Sequence, residues 1–331
     1  MVEELEMSVV VTVAIPTYNA AKTIGECLSS LEAQDFPRAQ MQIVVGDNGS
    51  TDATVQLIKE HFPNVEVVIA PERGSAYARN AAIEVAQGRY LCSTDADCIT
   101  DPGWVSTLVR TFENSPESVV CLGGQILPYR VETLVEHYRP AWIQQKTLRE
   151  RTGRFIYAET PNAAFRRSVF DQVGLFDGKA GHDDSDMGAR LSVANLEIQY
   201  VPDAIVRHRN PANIRELYQQ RFKYGVRSVA MANKHRDYFD ALDSQAALRQ
   251  LALHTTRRVI GNLTYKLADS LLIRGDAYGT QIDPLLDTVA AIGNYLGVHS
   301  AVSKLLVSQQ LRGEPMDTSS VSSFTSQDGG R

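Results

Sequence analysis

The chain has 331 residues, 44% of them hydrophobic and 22% charged. That composition suits one large or two modest domains with a real core, and excludes fibrous or wholly disordered chains. A net charge of −6 and a pI near 5.7 argue against a nucleic-acid binder, so any phosphate handling must draw positive charge from a metal, an arginine or a helix N-terminus.

The opening residues, MVEELEMSVVVTVAIP, are acidic where a signal peptide is basic, and no stretch approaches the ~20 apolar residues of a membrane span. A cytoplasmic enzyme is expected, with a surface able to make peripheral membrane contact. Cys27, Cys92, Cys98 and Cys121 form no CxxC pair and read as reduced thiols in or near the core.

Between residues 9 and 123, short β-branched runs alternate with helical patterns. The expected strands are Val9–Ile15, Met41–Val45, Val65–Ile69, Tyr90–Thr94 and Val119–Leu122. The expected helices are roughly Ala21–Ala33, Asp52–His61, Ser75–Ala86 and Pro102–Phe112. Strands spaced by helices imply βαβ units, right-handed crossovers and a largely parallel sheet. Ligands of such sheets bind at the carboxyl ends of the strands, so the loops there are the ones to read for chemistry.

Residues 124 to 210 mix short strands and helices, and about Asn213 to Arg312 is helical in pattern. The tail from Gly313 to Arg331 lacks large apolar side chains almost entirely and is expected to be disordered. The resulting division is a catalytic domain over 1–212, nucleotide-binding to about 123 and acceptor-binding after it, then helices over 213–312 and a tail over 313–331.

The first strand leads into Pro16-Thr17-Tyr18-Asn19, a turn in which Tyr18 offers a face for base stacking and Thr17 a hydroxyl. The second leads into Gly46-Asp47-Asn48-Gly49-Ser50-Thr51-Asp52. A turn with an N-cap from Ser50, Thr51 or Asp52 accounts for most of that run. It leaves Asp47 over, placed to accept from the imide N–H of uracil or from guanine. Gly74 to Asn80 opens a helix whose Arg79 either points back at the cleft or is a solvated cation.

After the fourth strand come Asp95-Ala96-Asp97. Two carboxylates one residue apart can share a hard cation, Mg²⁺ or Mn²⁺, or divide the cation and a ribose hydroxyl between them. A cation on a pyrophosphate neutralises the charge gathering on a departing nucleotide diphosphate. The plainer reading is an acidic turn capping the helix that begins near Pro102.

Farther on, Asp183-Asp184-Ser185-Asp186 precedes Arg190. A hydroxyl acceptor needs a base, and crowded carboxylates raise one another's proton affinity, so Asp184 is the candidate base. A charged helix start favoured by the macrodipole is the alternative for Asp183 or Asp186. His208 is either an ordinary satisfied histidine or a third metal ligand.

In order, VAIPTYNA, GDNGSTDAT, GSAYARNAA, STDADC and DDSDMGARL followed by a histidine resemble family 2 glycosyltransferases, over roughly residues 8 to 230. The resemblance implies a GT-A type, Rossmann-like α/β fold: a mostly parallel sheet flanked by helices, with a helical C-terminal extension. It also implies inverting transfer of a sugar, by family habit from a UDP-linked donor, to a glycan, lipid-linked or small-molecule hydroxyl acceptor. Asp97 would hold the metal, Asp95 the metal or ribose, and His208 the metal again. Pro161-Asn162-Ala163 and Asp183 would line the sugar and acceptor pocket, and Arg221 would pair with the diphosphate. The family's second motif has Asp where Asn48 stands, and its late motif has Glu where Asp183 stands.

Two rivals differ in class. A DxD phosphohydrolase would use Asp95 as nucleophile and Asp97 as acid, but its DxD ordinarily follows the first strand and has Thr or Val where Ile99 stands. A non-catalytic nucleotide-sugar-binding protein of the same fold would not need Asp97 and Asp184 intact. The C-terminal helices would pack on the catalytic domain or a homodimer partner, or meet a lipid-linked acceptor through segments such as Arg257 to Gly261.

Overall fold

In a computed structural model the described residues are 8–137, 157–235 and 283–311. They fall into two compact units, one of Met1–Arg130, Arg139–Lys179 and Asp183–Asn210, the other of Val131–Tyr138, Ala180–His182 and Pro211–Arg331.

The first unit is built on one eight-stranded sheet. Its strands are β1 (Val11–Thr17), β2 (Met41–Asp47), β3 (Glu66–Ile69), β4 (Tyr90–Ser93), β5 (Cys98–Thr100), β6 (Val119–Pro128), β7 (Ala163–Arg166) and β8 (Glu197–His208), in the spatial order β3-β2-β1-β4-β7-β6-β8-β5. The β1–β2, β2–β3, β1–β4 and β6–β8 pairs are parallel. The β4–β7, β6–β7 and β5–β8 pairs are antiparallel, so the sheet is mixed.

The helices are α1 (Ile24–Glu32), α2 (Thr54–His61), α3 (Ser75–Glu84), α4 (Trp104–Glu113), α6 (Val169–Val173) and α7 (Asp183–Val193); α5 (Leu134–His137) belongs to the second unit. Successive strand residues face opposite sides of a sheet, and here both sides are covered. Val11, Val13 and Ile15 of β1 join one core with Leu28 and Leu31 of α1 and Trp104, Leu108 and Phe112 of α4. Ala14 of the same strand joins the other, with Ala76, Ala82 and Ile83 of α3 and Met187 and Leu191 of α7. This is why β1 and β2 read as nearly unbroken apolar runs.

Small residues bring α3 close to the sheet. A Cβ on Gly46 would lie 1.9 Å from the carbonyl oxygen of Ala78, so the backbone of β2 abuts the helix directly. That closeness buries the next residue, Arg79, to 1% exposure.

The second unit contains α8 (Ile214–Lys234) and α9 (Asp283–Leu311), which pack against each other. A Cβ on Gly225 would lie 2.1 Å from the Asn294 carbonyl oxygen, and one on Gly297 2.1 Å from that of Phe222, so the helices meet backbone to backbone. Asn213 caps α8, its side chain accepting from the Glu216 N–H. Among the described residues no helix is long and apolar enough to cross a membrane. Arg257 to Gly261 and the tail after Arg312 lie outside the described residues.

Candidate active site

β1, β2, β4, β6 and β8 all run the same way, so their carboxyl ends share one edge of the sheet. Most of the sequence-derived candidates stand there.

At the ends of β1 and β2, Thr17 and Asp47 are register partners, 3% and 2% exposed. Asp47 Oδ2 accepts from the N–H groups of Gly49 and Ser50, 3.0 Å each, and holds the turn. Its other oxygen, Oδ1, is buried with no hydrogen-bond partner, as is the Thr17 hydroxyl. The N-cap of the following helix is Ala53, which supplies no side-chain cap, and Asp52 Oδ1 accepts from Thr54 N at 3.0 Å just before it. Ser50 and Thr51 instead tie to Asn19, whose backbone is left-handed with φ 50°.

Asn48 explains its departure from the family motif by what it bonds. Its Nδ2 donates to the Glu72 carbonyl at 2.6 Å and its Oδ1 accepts from Gly74 N at 2.8 Å, a pair of opposite bonds no carboxylate can make. The loop it secures carries Arg73, whose guanidinium lies 4.8 Å from the ring centroid of half-exposed Tyr18. Sequence reasoning passed over Arg73, although it is the one cation in the Ala70–Gly74 loop. Pro16 is buried inside β1, and Ala96 is 8% exposed, so neither offers a side chain.

Arg79 is not a solvated cation. Its Nε donates to Ser93 Oγ at 3.0 Å, its Nη2 to Asp95 Oδ1 at 3.3 Å and its Nη1 to Asp183 Oδ2 at 2.6 Å. One buried guanidinium thus fastens the acidic turn after β4 to the first residue of α7. Burial raises the proton affinity of Asp95, and Arg79 partly offsets this. Asp183 engages Arg79 through this ion pair.

The acidic turn does not cap a helix, because β5 follows it immediately. β5 pairs with β8 so that Cys98 sits opposite His208, and His208 Nε2 lies 3.6 Å from Asp97 Oδ1. Asp97, Cys98 and His208 each place one ligand atom within 4.8 Å of the others. Cys98 is fully buried, and burial together with the charges of Asp97 and Asp95 drives its thiol pKa well up. Of the three, the carboxylate and imidazole are the donors suited to a hard divalent cation, and a thiolate suits softer metals.

Asp184 follows at the start of α7, accepting from Ser185 N at 2.7 Å. Burial, and then the neighbouring charge of Asp183, pushes its pKa up to about 7. Asp186 is fully buried and pairs with Arg190 at 2.8 Å.

Asn162 does not do what the sequence suggested. It is wholly buried, accepting from Trp104 Nε1 and donating to the carbonyls of Gln125 and Ala204, 2.8 Å each. Its amide pins α4 to β6 and β8 rather than lining a mouth, and Ala163 beside it is equally buried. Only Pro161 of the three retains exposure. Arg221 belongs to the second unit, buried with its guanidinium 5.5 Å from the Tyr224 ring.

A family model described as glycosyl transferase family 2 matches residues 12–174, which takes in β1 through α6 and the whole DxD turn. That match and the relatives that follow support a family 2 glycosyltransferase. It is similar to the glycosyltransferase AglE of Haloferax volcanii, 28% identical over 221 residues, covering 65% of this chain and 71% of that one. It is also similar to the O-antigen chain rhamnosyltransferase RfbN of Salmonella typhimurium, 26% identical, covering 69% and 75%. Among solved structures, the mannosyltransferase PcManGT of Pyrobaculum calidifontis, in complex with GDP-Man and Mn²⁺, aligns with TM-score 0.52 at 21% identity, over 92% of this chain and 76% of that one. That likeness bears on the fold, which is GT-A type. By the family model and these relatives together, the chain is a glycosyltransferase enzyme.

Proposed function

We propose that this glycosyltransferase moves a sugar from a nucleotide-diphosphate donor to a hydroxyl acceptor with inversion. Asp184 is the general base in this reading, and Asp97 with His208 holds a divalent cation. The observation that carries the reading is the Asp95–Arg79–Asp183 bridge, which couples the acidic turn to the helix bearing Asp184.

Asp47 Oδ1 and the Thr17 hydroxyl are the nucleobase contacts. A buried acceptor suits a ring imide N–H, which uracil and guanine have and adenine and cytosine lack. Burying a carboxylate oxygen without a partner is costly, so a ligand N–H there gains from relieving the penalty. Tyr18, backed by Arg73, offers the stacking face, and UDP is the preferred nucleotide.

The donor set at Asp97 and His208 fits Mg²⁺ or Mn²⁺, and the Mn²⁺ in the PcManGT structure agrees with that choice. When bound, such a cation offsets the charge that develops on the departing diphosphate. Asp95, paired with Arg79, is the residue for the cation or the ribose. Asp184 takes the proton of the acceptor hydroxyl as that oxygen attacks the anomeric carbon. A pKa of about 7 makes it both ionised and basic near neutral pH. Acceptors are glycans, lipid-linked glycans or small hydroxyl compounds.

Asp184→Asn tests the assignment. Donor binding, followed by thermal shift with Mn²⁺ across a panel of nucleotide sugars, is expected to persist while transfer is lost. Turnover retained in that variant removes Asp184 from the base role.

A further inference from the structure

The first unit also carries a basic, aromatic cluster that the transfer chemistry above does not use. It forms where β6 and β8 end. Pro128 and His208 are register partners, and the next residue, Tyr129, donates its N–H to the His208 carbonyl at 2.9 Å. Tyr129-Arg130 and Arg209 therefore leave the sheet side by side, one residue from the His208 that faces Asp97. The guanidiniums of Arg209 and Arg130 lie 4.6 and 5.0 Å from the centroid of the Tyr129 ring.

Glu26, in the first turn of α1, is the one carboxylate with an ion pair to either arginine among the described residues. Its Oε2 pairs with Arg209 Nη2 and accepts from the Tyr129 hydroxyl at 3.1 Å, while its Oε1 stands 3.7 Å from Arg130 Nη2. Two guanidiniums against one carboxylate leave a full positive charge, in a chain whose net charge is −6. Arg209 Nε is buried without a hydrogen-bond partner, a donor with nothing to donate to. Arg130 is held in the left-handed region at φ 41°, which a non-glycine residue adopts only under constraint.

Resting on the transfer reading above, we propose that Arg130, Arg209 and Tyr129 bind a phosphate group carried by the acceptor. Guanidiniums present paired N–H donors that match phosphate oxygens, and they discriminate a phosphate from a neutral hydroxyl compound. The diphosphate of the donor is the other source of that chemistry, and the titrations below separate the two. The candidate base site lies on β1 and β2, whereas the cluster lies on β6 and β8, beyond β4 in the sheet order. The acidic turn that follows β4 leads into β5 and brings Asp97 to His208, next to the cluster. Glu26 is then a placeholder, engaging both arginines until the phosphate arrives.

The test is calorimetric titration of the full chain with glycerol 1-phosphate, with glycerol as the neutral control, and separately with UDP and Mn²⁺. The wild type is expected to bind glycerol 1-phosphate and not glycerol. Arg130→Gln with Arg209→Gln should weaken that binding by about tenfold or more, the scale of lost charge-assisted hydrogen bonds at a partly exposed site. Glu26→Gln should instead tighten it by about threefold, since a competing charge is gone. UDP affinity in the double variant should stay within about twofold of wild type, because the base contacts on β1 and β2 and the Asp97 and His208 side chains are left intact.

Unchanged glycerol 1-phosphate binding in the double variant would overturn the proposal. So would Glu26→Gln binding no tighter than wild type, a variant that keeps both arginines and guards against misfolding. A parallel fall in UDP affinity would assign the cluster to the donor and likewise overturn it. Should UDP fail to bind the wild type while the phosphate results hold, the transfer reading fails and this site stands.

Discussion

Arg79 holds the candidate site together, and its removal has a calculable cost. The Arg79 side chain is 2% exposed, and those of Asp95 and Asp183 are 28% and 20% exposed. Breaking a buried ion pair by deleting one partner costs about 3–5 kcal/mol, because the other charge is left behind uncompensated. In Arg79→Gln two carboxylates lose their partner, but both keep some water to screen them, which lowers the expected loss to about 2–3 kcal/mol. For a domain of this size that is a fall in melting temperature of about 5–10 °C. Urea unfolding of Arg79→Gln, Asp183→Asn and the double variant gives the pair's own share as a coupling energy, expected on the order of 1–3 kcal/mol. A residue that only touched the donor would leave stability within about 0.5 kcal/mol of wild type and show no coupling. That outcome would refute the fastening role.

Four further outcomes are expected. Turnover should rise as pH climbs through about 7, where the Asp184 carboxyl ionises; a profile flat between roughly pH 5 and 9 contradicts a base with that environment. The same raised pKa makes the folded state pay for ionisation. The unfolded carboxyl ionises near 3.8 and the folded one near 7, so stability falls across that interval, and Asp184→Asn should be about 2 kcal/mol more stable than wild type at about pH 8 but nearly equal at about pH 4. Gly46→Ala should cost at least about 3 kcal/mol, since its Cβ would lie 1.9 Å from the Ala78 carbonyl oxygen; a variant with an unchanged melting temperature contradicts so close an approach. Asn162→Leu should lose about 2–5 kcal/mol by leaving Trp104 Nε1 and the Gln125 and Ala204 carbonyls unpaired, whereas unchanged stability with lost transfer would return Asn162 to the acceptor mouth.

The first half of the sheet was readable in the sequence because β1, β2 and β4 are buried on both faces and so carry unbroken apolar runs. Their expected positions agree with the observed ones to within two residues. β5 and β7, of three and four residues, are too short for any period to register, and β5 stands where the plainer reading of the acidic turn needed a helix start. The candidate residues after β1, β2 and β4 were legible because in such a sheet chemistry gathers at strand ends. The partners of Arg79 were not. Asp183 lies 104 residues away, and a buried guanidinium and a solvated one look alike in sequence. Asn162 misled for the same reason, since only the fold brings Trp104, Gln125 and Ala204 around its amide. Asp47 was legible as an unexplained carboxylate, though not that one of its oxygens closes the turn while the other stays unpaired.

The most direct measurement is the thermal shift produced by a nucleotide-sugar panel with Mn²⁺ and without it, on the wild type and on Asp97→Ala. The account predicts that one donor stabilises the wild type in a Mn²⁺-dependent way, and that Asp97→Ala loses the metal-dependent part. A donor shift in Asp97→Ala that still depends fully on Mn²⁺ would contradict it.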